Sequence, residues 1–239
     1  MQNRSLFNAY LSAFLATAAT GGGWAITGKL AGHEAALSFL YFSAPVVGGM
    51  FVIQILLFMK SRSLVKFGIA FNIATAFGLV WMMSCLVLPI FWIASIGIAA
   101  KLSFGSVSLI ICYLNVIRGI GIFNIRWKKV GLKLLRQYYW RDRETMDWGG
   151  IVSSLKLSAS FYVPGVSEKT GPILSVLLVV SMIVGLSLRN VFPVFSVFFW
   201  GIPSVLVIAT MLQMVGVVVG QYLMFVALEK KEGVFIRPL

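Results

Sequence analysis

Apolar runs long enough to cross a bilayer alternate along this chain with short loops, and positive charge collects in every second loop. Lipid offers no hydrogen-bond partners, so a run of this kind must keep its backbone bonds internal and folds as a spanning helix. Hydrocarbon is roughly 30 Å thick and a helix rises about 1.5 Å per residue, which sets about 20 apolar residues per crossing. On that ruler spans are expected at about 6–27, 37–59, 67–89, 103–124, 172–188 and 203–228. Composition agrees, because 59% of the side chains are hydrophobic and only 11% are charged, outside the range of an ordinary soluble domain.

Charge then orients the spans. Lys and Arg are retained on the cytoplasmic side, whereas acids contribute little. Six spans with a cytoplasmic N-terminus keep Arg4, the Lys60/Arg62/Lys66 loop, the basic residues from Arg126 to Lys169, and Lys230, Lys231 and Arg237 inside. Only Lys29, Lys101 and Arg189 fall outside, with Arg118 within a span. Splitting Phe67–Ala100 into two crossings would export the central basic cluster, so that alternative is rejected. The net charge of +13 therefore marks topology; it is confined to loops and does not point to nucleic acid.

The expected fold is an all-α polytopic membrane protein of the bacterial cytoplasmic (inner) membrane, with about six transmembrane helices and both termini cytoplasmic. Residues 1–125 hold helices one to four and 126–170 form a basic cytoplasmic or interfacial segment. Residues 171–228 hold the last two helices, and 229–239 are a cytoplasmic tail. The N-terminal run resembles a signal peptide around Ala16-Thr17-Ala18, but its apolar character continues to Ile26, which favours a retained helix. The runs Phe67–Ala100 and Val191–Leu228 exceed one crossing. Pro89, Pro193 and Pro203 suggest an outer collar of broken or re-entrant pieces, with one long kinked helix in each case as the alternative.

Helix association in lipid rests on close backbone approach and a few hydrogen bonds, so small residues mark the seams. The first span repeats Ala9, Ala13 and Thr17, with Ser12, Ala16 and Thr20 on the adjoining ridge. The last span carries Gly216-Val-Val-Val-Gly220, a GxxxG whose stripe Gln213 and Met224 extend, and intramolecular packing is the favoured use. Gly21-Gly22-Gly23 suggests a hinge or a helix end. Cys85 and Cys112 read as small apolar residues. Arg118 either snorkels to the phosphates or faces the bundle, where Gln54, Asn72, Asn115 and Gln213 are candidate partners.

Within the basic segment, Trp127, Val130, Leu134 and Tyr138 line one helical face, and Lys129, Lys133 and Arg136 line the other. The pattern predicts an amphipathic interfacial helix with aromatics among the headgroups and cations toward anionic phospholipid headgroups. Leu155 to Val163 alternates with period two and reads as a strand, with Gly233–Arg237 as a candidate cytoplasmic pairing partner.

Chemistry is sparse in this sequence. All seven acids lie in loops or at span ends, which disfavours an ion-coupled carrier. His33-Glu34 lacks the second histidine of a zinc motif, and neither a G-x-S-x-G elbow nor a P-loop is present. Asp142, Glu144 and Asp147 alternate with Arg141 and Arg143 and read as solvated ion pairs. No catalytic residue, metal site or cofactor is assigned. The expected activity is non-enzymatic, through a protein partner or self-association. A small channel or transporter beside Arg118 is the first alternative, and a lipid-modifying enzyme using the three acids is the second.

Overall fold

A computed structural model of the chain describes residues 2–61, 64–157, 162–166 and 170–239. Its helices are α1 (Gln2–Ala31), α2 (His33–Ser61), α3 (Val65–Val87), α4 (Ile98–Tyr138), α5 (Trp148–Leu155), α6 (Gly171–Leu188) and α7 (Pro193–Glu232). A 3-10 turn, Leu88–Trp92, follows α3. Four helices are long and apolar enough to cross a membrane: α2, α3 with its 3-10 extension, α4 and α7. The shorter α6 adds an apolar stretch at Ile173–Leu188. The chain is a helical membrane protein: the expected spans at 37–59, 67–89, 103–124 and 203–228 fall on these four helices, and those at 6–27 and 172–188 fall on α1 and α6, which are helical but not among the four.

Helix α7 is the hub, packed against α3, α4 and α6, while α1, α2 and α3 form a second triplet. The α1–α2 turn, the residues after α3 and the α6–α7 turn share one end of the bundle, as the bond from Lys29 Nζ to Asn190 Oδ1 (3.0 Å) shows. The basic segment and the C-terminal tail share the other, called here the basic end.

Several expectations are corrected. The three glycines neither end nor hinge α1, which runs through them to Ala31. Breaking backbone bonds away from water costs more than the weak helix propensity of glycine. Gly23 is needed for another reason: a Cβ there would lie 2.6 Å from Phe39 Cζ. The buried ridge of α1 is Ser12, Ala16, Thr20, Gly23 and Thr27, the one beside the Ala9/Ala13/Thr17 stripe, and Thr17 is exposed.

The two overlong runs take opposite solutions. Phe67–Ala100 breaks at Leu88, where Pro89 has no N–H to continue the ladder, and Ile90, Ile93 and Ile96 fold back into a cluster with Val197 and Trp200. Val191–Leu228 stays one helix, with Pro193 in its first turn and Pro203 inside it. Pro203 deprives the Phe199 carbonyl of its usual i+4 donor. Ser181 Oγ of α6 donates to that oxygen at 2.8 Å, so the defect in α7 becomes the docking point of α6.

The expected interfacial helix is not a separate element either. It is the last third of α4, which continues without interruption to Tyr138. Three short strands follow the basic end: β1 (Tyr139–Trp140) pairs antiparallel with β2 (Thr145–Met146), and β2 pairs parallel with β3 (Arg237–Pro238). The tail thus joins a β-pairing, but not with the expected partner. Leu155 ends α5 and Lys156 caps it in a left-handed conformation. Residues 158–161 of the expected strand lie outside the described residues.

Candidate functional site

The basic end is closed by the chain's own tail. Gly233 adopts φ 71° and caps α7 through its N–H to Glu229 O (2.9 Å), which turns the chain back. Ile236 is then fully buried. Its N–H donates to Glu229 Oε1 (3.1 Å), and its carbonyl accepts from Val65 N (3.3 Å). The second Glu229 oxygen, Oε2, meets Lys66 Nζ at 3.0 Å, with Glu229 buried and Lys66 partly exposed. Lys66 also stands 4.4 Å from the centre of the Phe235 ring. A carboxylate with an ammonium on one oxygen and an amide on the other satisfies the requirement for burying charge.

Around this latch, Met146, Ile151, Leu155, Leu134, Phe225 and Ile236 build a core. Trp127, Val130 and Tyr138 pack against it. The apolar face of the basic segment is therefore covered by protein, not turned to headgroups. Its opposite face behaves as the sequence implies, with Lys129, Lys133 and Arg136 exposed. Trp127 stacks on Phe123 (5.7 Å between centroids), and Tyr138 Oη lies 3.3 Å from Ser154 Oγ.

The acids that invited an enzymatic reading have local work. Asp147 Oδ1 accepts from Gly150 N at 2.9 Å and caps α5. Glu144 occupies a left-handed turn (φ 50°) whose carbonyl accepts from Arg237 N, and Asp142 is exposed.

Between the tail and the helices a cleft of about 540 Å³ opens at the basic end. Phe58, Ile69, Phe71, Trp148 and Leu239 supply apolar walls, and Asn72 and Asp147 supply polar edges. Asn72 is exposed here and does not reach Arg118.

The other intramembrane polar residues are structural joints. Gln54 Nε2 donates to Ser12 Oγ (3.0 Å) and to Ala74 O (3.1 Å), tying α1, α2 and α3. The GxxxG faces α4: a Cβ at Gly216 would strike the Val116 carbonyl, and one at Gly220 would press Phe123 at 3.0 Å. Across the seam, a Cβ at Gly119 would strike the carbonyl of Gln213, itself fully buried. Asn115 Nδ2 donates to Ile111 O (2.9 Å) and Tyr162 O (3.3 Å). The Arg118 guanidinium lies 4.1 Å from the centre of the Tyr162 ring. Arg118 is eight residues before Arg126 on one helix, so Tyr162 packs against α4 roughly 12 Å along its axis from Arg126.

Gly119, Lys66 and Glu229 carry no site signature in the sequence, whereas Asp147 stands out there as one of three clustered acids. Asp147-Trp-Gly-Gly150 before an apolar run is a readable cap signature, whereas the Lys66–Glu229 pairing joins residues far apart in the chain.

Comparison with protein families, with curated proteins and with solved structures finds no match to this chain.

Proposed function

We propose that this chain is a six-span protein of the bacterial cytoplasmic membrane, with both termini inside, that acts without catalysis by binding another protein or a second copy of itself. Immunity, exclusion, defence and secretion-accessory membrane proteins work in this way. The cleft at the basic end carries the reading. It combines aromatic and aliphatic walls with polar edges, as sites for inserted side chains do. It also lies where the tail, β-strands and α5 form ordered structure outside the apolar spans. Gln54 and the Gly119/Gly216/Gly220 seam support it too, since groups that could line a path hold helices together instead.

A photo-crosslinking amino acid at Asn72 or Gly149, on the cleft, should yield discrete protein adducts in native membranes, while one at Val179 on exposed α6 should not. Equal adduct patterns at all three positions would remove the proposal. Orientation is tested separately by a cysteine at Gln137, which should resist labelling from the periplasm.

One observation favours a channel or transporter as the second reading. Asn115 Oδ1 is buried with no hydrogen-bond partner among the described residues, one turn from Arg118. Ion or solute flux in liposomes that disappears in a folded Asn115→Leu variant would promote that reading over the first.

A further inference from the structure

A second depression at the basic end has a different character from the cleft. It is a groove of about 400 Å³ lined by Ile122, Ile125, Arg126, Lys129, Lys156 and Leu157. Three of these residues are cations, three are aliphatic, and no carboxylate belongs to the lining among the described residues. The two kinds are also ordered along the helix. Ile122 and Ile125 close the apolar run of α4, Ile125 is 62% exposed, and Arg126 and Lys129 follow immediately.

The cations are positioned by the fold. Arg126 Nε donates to Leu155 O at 3.0 Å, which orients the guanidinium and leaves its Nη atoms as the donors a ligand in the groove would meet. Lys156 reaches the same groove because it caps α5 in the left-handed region (φ 47°, ψ 51°), a conformation that non-glycine residues seldom adopt. Lys129 projects from the next turn of α4.

We infer that this groove binds one anionic phospholipid, its phosphate held by Arg126, Lys129 and Lys156 and the start of an acyl chain lying along Ile122, Ile125 and Leu157. Charge complementarity selects an anion, and the adjoining aliphatic wall at the end of a membrane-crossing helix selects a lipid over a soluble phosphate. This site differs from general attraction to the exposed Lys129/Lys133/Arg136 face, because it takes Lys156 from a distant element. It is independent of the protein-binding cleft.

The test titrates the detergent-solubilised full chain with phosphatidylglycerol and reads the first bound lipid by native mass spectrometry. Arg126→Gln also removes the bond to Leu155, so the diagnostic variant is Lys129→Gln/Lys156→Gln. It should weaken the first binding event about 30-fold, from the usual worth of two cations at an anionic surface. Lys128→Gln/Lys230→Gln, which removes the same charge from exposed positions outside the groove, should change it less than about 3-fold. Phosphatidylcholine should bind more weakly than phosphatidylglycerol, and equimolar inorganic phosphate should not displace the lipid. Equal losses in the two double variants, no preference for phosphatidylglycerol, or displacement by inorganic phosphate would each overturn the assignment.

Discussion

At the basic end, Lys66, Glu229 and the Ile236 amide meet beneath a folded tail, whereas at the opposite end Ile90, Ile93 and Ile96 close an apolar cluster against Val197 and Trp200. Both ends solve one problem, the carbonyls left over where membrane helices stop. At the opposite end the cross-link is uncharged: Trp200 Nε1, 114 positions further along the chain, donates to Leu86 O (3.2 Å) just before the Pro89 break. At the basic end the cross-link is an ion pair, between residues 163 positions apart. Both ends thus depend on residues remote in sequence, but the basic end does so through an ion pair, and it is also where the cleft and the lipid groove lie.

The sharpest way to break this contrast is Glu229→Ala. It leaves the buried Ile236 amide without its acceptor and Lys66 without its counter-ion, and should cost about 3 kcal/mol, the low end for breaking a buried pair, because Lys66 keeps some solvent contact. Unfolding in mixed detergent would measure the loss, and carboxypeptidase should then digest the tail. A tail that remained protected would show that apolar packing of Ile236 alone closes this end.

Gly119→Val tests the seam between the ends. A side chain there meets the Gln213 backbone rather than a movable group, so overpacking should cost about 1–3 kcal/mol by the same measurement. Gly48→Val, where a Cβ meets nothing within 4 Å, is the matched control and should change stability little. Asp147→Ala removes the cap of α5 and should cost about 1 kcal/mol, visible as faster amide exchange confined to residues 148–155. Smallest is Gln54→Leu, because hydrogen bonds between membrane helices average only about 0.6 kcal/mol. A loss above about 2 kcal/mol, measured by unfolding in mixed detergent, would mean that the Ser12–Gln54–Ala74 joint organises the α1–α2–α3 triplet more strongly than such bonds usually do.

Legibility followed the range of the interactions involved. The spans could be read because hydropathy is a property of contiguous residues, and the GxxxG because a small-residue ridge is visible on a single helix. Both small-residue stripes of α1 are legible, but which of them is covered depends on partners elsewhere in the chain, such as Phe39 against Gly23 and Gly78 against Ser12. The apolar character of the face of Trp127, Leu134 and Tyr138 is legible from its periodicity. What covers that face is not, because periodicity reports that a face is buried, not by what. Period-two alternation from Leu155 likewise could not compete with the capped helix that Asp147 begins.

Hydrophobic run lengths and loop charges by themselves determined that this chain enters a membrane as helices and gathers its positive charge at one end, because the bilayer acts on each segment separately. Only the tertiary structure decided which Pro-containing run breaks, which ridge becomes a seam, and that the tail returns to seal the basic end through Glu229. Those outcomes rest on contacts between segments remote in sequence, where a serine from one helix completes the hydrogen bonds of another and a carboxylate is buried only if its ammonium arrives from elsewhere in the chain.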